Sequence, residues 1–402
     1  MKINKITPVN FINSPQKVGS SGYVTCIIAT DLELTKDTEV NTVYKFSNLE
    51  EVKTKINDTT ADSSKDVLAA AELYFLNGGG KLKIFVADSG ESGANLADPN
   101  GFITALLATR EYFKLCMFTH SRAGVNSVIT KNNVSSLASA LKIEGIMFSH
   151  TVNENEYDDF KAALSLDFAH LACSTTATQT FNLKNKYLYL AAAAKFGTIN
   201  RASKRDSTIK IQLQDPVGLN KNLDISTEFL NKLEDDKTMH VDNTQVGGRE
   251  TSVFFVGNMQ TDGKTLTEVL VNNIALSEDL QADGLSLLRN NVEPLKYNVI
   301  GFGKVINSAR NTLISYSGAE GVGNGSLSPL SVEQINSDDS LLALDEEQKG
   351  DLLKYGFAIK TKPEDFDPTD AEIVDQKYPE IAMLLNPSFG ASIISYSIAI
   401  RR

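Results

Sequence analysis

The sequence predicts an α/β layer followed by an α+β unit, and three observations carry that prediction. Strand-like apolar runs alternate with helical stretches from Tyr23 to Phe196, which is the pattern of mostly parallel strands joined by crossover helices. Beyond about residue 205 that rhythm gives way to short strands, two long periodic helices and a glycine-rich linker. Both ends of the chain read as strands with no partner beside them in sequence.

The elements follow in order. Residues 1 to 13 place Ile3, Thr7, Val9 and Phe11 on one parity, interrupted by Pro8; proline has no ladder donor, so an edge or added strand fits best. A Gly/Ser turn at 19 to 22 precedes Tyr23–Thr30, a β-branched run that predicts the first core strand. Ser64–Asn77 has Val67, Ala70, Ala71, Tyr74 and Phe75 at helical spacing, and Gly78–Gly80 stop it. A strand at Lys81–Ala87 follows, then helices near 101–113, 134–141, 156–164 and 181–196 alternate with strands at 114–119, 143–149 and 168–174. The small residues 191 to 194 allow the last of these helices to pack closely.

In the second half a strand is expected at 207–213, a short helix at 226–232 and two short strands at 239–241 and 252–256. Leu266–Asn290 is the longest periodic helix and Phe302–Tyr316 the next, with the linker GAEGVGNGSLSP after it. Gly356–Lys360 predicts a strand, and 364–378 is polar and turn-like. The chain closes on GASIISYSIAIRR, where Ile394, Tyr396, Ile398 and Ile400 share one face and Ser395, Ser397 and Ala399 the other. A strand of this propensity needs a sheet to accept it, in its own chain or in a neighbour.

Composition narrows the function classes. A chain of 402 residues with 42% apolar content can bury large cores. Its 39 basic and 50 acidic residues give 39 − 50 = −11, a poor balance for gripping a phosphate backbone. No apolar run is long enough to span a bilayer, and MKINKITPVNF lacks the core of a secretion signal, so cytoplasmic synthesis is the expectation. Cys26, Cys116 and Cys173 are far apart in apolar stretches and read as buried, reduced thiols.

The enzyme-like signals are weak. His120 and His150 are expected just past the carboxyl ends of parallel strands, where open α/β sheets bind ligands, and His170 within a third strand near Cys173. Their spacing is that of whole βα units, so isolated histidines are the plainer reading. Gly78–Gly80 precede a strand and cradle no phosphate, and GVGNGS at 321–326 has no lysine and reads as a mobile surface loop. The run ENEYDD at 154–159 sits at a helix start, where carboxylates are favoured. Arg201, Lys204 and Arg205, with Arg401 and Arg402, form the clearest basic cluster. No catalytic residue, cofactor or metal is assigned.

Four stretches carry a family resemblance: AAAELYFLNGGGKLKIFVA (69–87), GFITALLATREYFKLCMFT (101–119), YLYLAAAAKFGTINRASKRDSTIKIQLQDPVGL (187–219), and the helix pair with glycine loop from LTEVLVNNIALSEDLQADGLSLLRNN to GNGSLSP. In layout and texture, over nearly the whole chain, the sequence resembles the contractile tail sheath proteins of phages and related injection machines. The resemblance implies an outer α/β domain (26–205) inserted in an inner α+β domain (206–389, with part of 1–25), and a terminal arm strand at 390–402. It implies hexameric rings stacked around a tail tube, arms exchanged as strands between neighbours, and tube, baseplate and tail terminator proteins as partners. It implies no direct nucleic acid, no stable membrane insertion, and residence in a virion tail assembled in the host cytoplasm. The helix 266–290 and the segment 344–360 become candidates for the tube-facing surface, with Lys349, Lys354 and Lys360 the cations to test. Another tail or baseplate protein, or an α/β enzyme using His120, His150 and His170, are the alternatives.

Overall fold

The computed structural model describes residues 26–30, 39–56, 62–87, 99–111, 113–119, 129–143, 146–164, 169–175, 185–197, 216–219, 226–246, 249–256, 267–290, 295–319, 323 and 325–388. The end strands expected at 1–13 and 390–402, the strand expected at 207–213 and the boundary near 205 lie outside these residues.

Six strands form the main sheet: β1 (Cys26–Thr30), β2 (Thr42–Phe46), β3 (Leu82–Val86), β4 (Leu115–Phe118), β5 (Met147–Asn153) and β6 (Ala169–Thr175), in the order β2-β3-β1-β4-β5-β6. All are parallel except β2, which pairs antiparallel with β3. Between them run α1 (Leu49–Lys55), α2 (Asp62–Leu76), α3 (Pro99–Ala108), α4 (Val134–Ile143) and α5 (Glu154–Ala163), with α6 (Leu188–Gly197) after β6. The alternation expected of parallel strands and helices is therefore present. β2 and α1 are additions to it, in runs where charged residues break up the apolar ones (TVYKF and LEEVKTK).

Strand pleating splits the core in two. Leu82, Ile84, Val86, Leu115, Met117 and Met147 share a cluster with α2 and α6, where Ala191–Ala194 are fully buried. Phe85, Cys116, Phe118, Phe148 and Val152 share the other with α3, α4 and α5. Gly78 ends α2 at φ 90°, and a Cβ on Gly79 would fall 2.2 Å from the Tyr74 ring, so the predicted glycine stop has a steric basis. Two boundaries differ from expectation. The strand expected at 143–149 begins only at Met147, since Ile143 ends α4 and is exposed; it falls nearly opposite the buried stripe Val134, Leu137, Ala138 and Leu141. The helix expected to reach 113 stops at Ala108, and Arg110 turns the chain at φ 57°.

In the second half, α7 (Thr227–Asp235) leads to the antiparallel pair β7 (His240–Val246) and β8 (Arg249–Val256), longer than the two strands expected there. The long helix α8 (Thr267–Asn290) follows, then α9 (Val299–Ser315), α10 (Val332–Asn336), α11 (Asp339–Leu342), α12 (Glu346–Tyr355), β9 (Phe357–Ile359), α13 (Asp370–Asp375) and β10 (Met383–Leu385). Leu270 and Ile274 of α8 belong to the core beneath the six-stranded sheet, whereas Ala275, Leu276 and Leu280 belong to a separate core with α9, Leu327 and Phe357. Tyr316 donates to Asp279 at 2.6 Å and Thr312 to Asp283 at 2.5 Å, tying α9 to α8.

The segment 364–378 is more ordered than its polarity suggests. The rings of Tyr297, Phe302, Phe366 and Tyr378 cluster with centroids 5.3 to 6.1 Å apart. Tyr297 donates to the Lys377 carbonyl at 2.8 Å and Tyr378 to the Lys296 carbonyl at 2.6 Å. These contacts fasten α13 to the start of α9.

Candidate functional site

The histidine positions do not build a catalytic edge among the described residues. His150 lies inside β5, not past its end, because the strand continues to Asn153, whose side chain caps α5 by accepting from Glu156 N at 3.1 Å. Its ring is buried and stacks on Phe160 at 5.1 Å, and burial lowers its pKa to about 3, so it is neutral at pH 7. It completes a row of rings running Phe85, Phe102, Phe118, Phe148, His150 and Phe160 across the sheet. The register sets His170 opposite Ser149, and His120 lies outside the described residues. Among the described residues no three His, Cys, Asp or Glu side chains are grouped to hold a metal ion. Cys116 is fully buried in β4, as expected.

Two other motifs have structural explanations. Glu154 and Glu156 occupy the first turn of α5, while Asp158 pairs with Lys232 at 2.5 Å and Asp159 with Lys131 at 2.7 Å. The expectation of a mobile loop at 321–326 is corrected at its described residues. A Cβ on Gly323 would fall 2.4 Å from the Ser317 carbonyl oxygen, Gly325 N donates to that oxygen at 3.0 Å, and Ser326 is buried. Close packing against the end of α9 is what this glycine loop provides.

The feature that calls for a partner is β10. It pairs antiparallel with β9 through Met383↔Ile359, Leu384↔Ala358 and Leu385↔Phe357, and the two strands are the whole sheet among the described residues. One side of this narrow sheet packs on the α8/α9 core through Phe357, Ile359, Met383 and Leu385. The other packs under α10 to α12 through Ala358 and Leu384, against Ile335, Leu344 and Leu352. Lys360 N donates to the Ala382 carbonyl at 2.8 Å and Asn386 N to the Gly356 carbonyl at 2.9 Å. By antiparallel alternation the backbone groups of Met383 and Leu385 then point away from β9. No described residue pairs with them across that outer edge.

Gly356 opens this sheet at φ 81°, with the Ser328 carbonyl oxygen 2.4 Å from where a Cβ would stand. Residues 326–328 continue the ladder, since Ser328 N donates to the Asn386 carbonyl and Ser388 N to the Ser326 carbonyl, both at 2.9 Å. Beside β10 lies a cleft of about 630 Å³, lined by Leu330, Leu341, Leu352, Leu384 and Leu385, with Gln334, Ser337, Asp338, Asp339 and Asn386 at its polar parts.

The other predicted interaction residues are placed less informatively. Ile3, Val9, Phe11, Ile394, Tyr396, Ile398 and Ile400 lie outside the described residues, as do Arg201, Lys204, Arg205, Arg401 and Arg402. Lys349 is 3.6 Å from Glu346, and Lys354 lies 4.9 Å from the Tyr355 ring centroid. The two point about 140° apart around α12, so they form no single cationic face. Lys360 is exposed just beyond β9. The edge at Met383 and Leu385 was not marked in the sequence; its one signal is the apolar run Ile381–Leu385 between Pro379 and Pro387.

No family model matches the chain, and no curated protein is found similar to it. Solved structures are similar over nearly its full length. The helical sheath of the anti-feeding prophage in its contracted state is 12% identical, covers 98% of this chain and 99% of that one, and superposes with a TM-score of 0.59. The sheath complex of the extracellular contractile injection system PVC, also contracted, is 13% identical over 98% and 97%, with a TM-score of 0.60. A chain of the contracted anti-feeding prophage baseplate is 11% identical over 96% and 95%, at 0.56. The chain has the fold seen in these contractile sheath structures.

Proposed function

We propose that this protein is the structural subunit of a contractile sheath, polymerising as stacked hexameric rings around a tail tube and shortening to drive that tube through a target envelope. The observation that carries the reading is the correspondence of fold over nearly the full length of both chains. Under it, 26–205 is the outer domain, 206–389 with part of 1–25 the inner one, and 1–13 and 390–402 are arms exchanged between neighbours. The open edge of β10 supports such exchange. A two-stranded sheet is marginal alone, and an added strand supplies main-chain hydrogen bonds while its alternating side chains choose the face.

Head-to-tail contacts of this kind repeat along a screw axis and make an open tube. Contraction is a move between two packings of the same subunits, driven by energy stored at assembly and not by a nucleotide. The partners are further copies of the chain, the tube protein, and baseplate and terminator proteins, in a virion tail assembled in the host cytoplasm. Lys349, Lys354 and Lys360 are the cations to test singly for contact with the tube, since Lys349 and Lys354 diverge around α12. The role is structural, with no catalytic residue, cofactor or metal.

Electron microscopy of the concentrated protein, with and without tube, tests this: rings or tubes are expected, and a strictly monomeric population under every condition sinks the reading. The likeness to a baseplate chain favours a second reading as a baseplate component. That alternative predicts closed rings of fixed copy number instead of helical polymer.

A further inference from the structure

Strand exchange leaves a question of register that the alternation of the terminal segment does not answer. Ile394, Tyr396, Ile398 and Ile400 share one parity, so a slip of one residue would turn all four to the wrong face. A slip of two residues moves the strand by about 6.8 Å and leaves nearly the same apolar row in place. Choosing among even slips needs a feature that occurs once. Arg402 is such a feature, because it closes the apolar parity with a charge.

The cleft beside β10 has the complementary asymmetry. Among the described residues its apolar lining comes from leucines, its charged lining is Asp338 and Asp339, and no cation lines it. Asp338 accepts from Ser340 Oγ at 2.7 Å and Ser340 N at 2.9 Å, bonds that hold its carboxyl below the ordinary range and keep it ionised at neutral pH. A strand whose isoleucines enter the leucine side of the cleft brings Arg402 to the same side of the sheet as these two acids.

We propose that Asp338 and Asp339 receive Arg402 of a second copy when residues 390–402 of that copy add to the outer edge of β10, and that this pairing sets the register of the added strand. The inference rests on the strand-exchange reading above. A guanidinium suits the task, since its planar fork bonds two acceptors at once and its charge does not titrate away. Charge pairing of this sort discriminates between registers more than it adds to affinity.

The test is assembly of the full-length chain, followed by sedimentation and electron microscopy. Arg402→Glu is expected to raise the subunit concentration needed for polymer about tenfold. Asp338→Asn with Asp339→Asn is expected to do the same while keeping the α11 cap, since asparagine caps as well as aspartate. Adding Asp339→Lys to Arg402→Glu should restore assembly. Wild-type assembly by Arg402→Glu, or no recovery in the charge-swapped protein, overturns the register pairing. Protection of residues 390–402 from hydrogen exchange in dilute monomer also overturns it, because the cleft's occupant would then be the chain's own end. Deletion of 390–402 separates the two levels: normal tubes from the deleted protein remove strand exchange itself, whereas loss of tubes with wild-type behaviour of Arg402→Glu removes only the pairing.

Discussion

The six-stranded sheet and the β9–β10 pair are both packed against on two sides, yet they are complete in different senses. In the large sheet β3, β1, β4 and β5 each have a strand on both sides, so their register is determined within the chain. The small sheet has equally apolar faces, but its described ladder is two strands wide and one edge faces a cleft. Burial of faces and pairing of edges are thus separate requirements. A sheet can satisfy the first inside its own chain and still need another chain for the second.

The largest effect is expected where the comparison predicts self-sufficiency. Phe102→Ala removes the ring that bridges Phe85 and Phe118 in a fully buried site, and should cost about 3–5 kcal/mol in urea unfolding. A loss below about 1 kcal/mol would mean that the ring row does not brace this sheet.

Acid sharpens the same side of the comparison. The folded-state pKa of His150 is lowered to about 3, whereas the unfolded chain takes up that proton near the ordinary histidine value. Between those two values the unfolded state binds more protons, so His150's contribution is fully present above the unfolded pKa and is lost as pH falls toward the folded one. The effect amounts to a few kcal/mol, and His150→Phe should flatten the acid limb of a stability curve. An unchanged acid limb in that variant would show that the imidazole is not the group responsible.

The small sheet is probed by Gly356→Ala. It places a Cβ against the Ser328 backbone at a left-handed φ and should cost about 1–3 kcal/mol. Hydrogen exchange locates the damage: the Ala358 and Leu384 amides should lose protection while β4 and β5 keep theirs. In the intact subunit the Met383 and Leu385 amides should exchange faster than those of Ala358 and Leu384, and become protected in polymer. Equal protection before and after assembly would mean that the outer edge accepts nothing.

The smallest effect belongs to Glu111, which bonds Lys45 and Lys83 beside the antiparallel margin of the large sheet. Burial pushes its pKa up, but the two lysines prevail and hold it below the ordinary carboxylate value. Its contribution is therefore present at neutral pH and disappears as pH drops through that lowered value. Glu111→Gln should cost about 0.5–1 kcal/mol in thermal or urea unfolding at neutral pH. A cost several times larger would make this margin as dependent on one contact as the small sheet is on Gly356.

Much of the large sheet was legible because the apolar strands β3, β4 and β5 are each followed by a helix, so the alternation repeats along the chain. Three elements were not. β2 (TVYKF) and α1 (LEEVKTK) carry charged residues that break up their apolar runs, and β10 spans only three residues. His150 was misplaced for a related reason: its strand runs on through polar residues to Asn153, and only the capping bond to Glu156 shows where it stops. The terminal segment could be read as a strand in want of a sheet. Its proposed acceptor could not, because an edge is defined by what fails to pair with it, and an apolar run between prolines, Ile381–Leu385, does not announce that.

Helix α8 joins the two regions compared above, since Leu270 and Ile274 sit in one core and Ala275, Leu276 and Leu280 in the other. Its 24 residues make a rod of about 36 Å. A rod of that length tilting by about 10° about one end carries the other through roughly 6 Å, while its own hydrogen bonds stay intact. The subunit thus contains a stiff element shared by both cores, so a change of angle on one side is passed to the other without unwinding the helix.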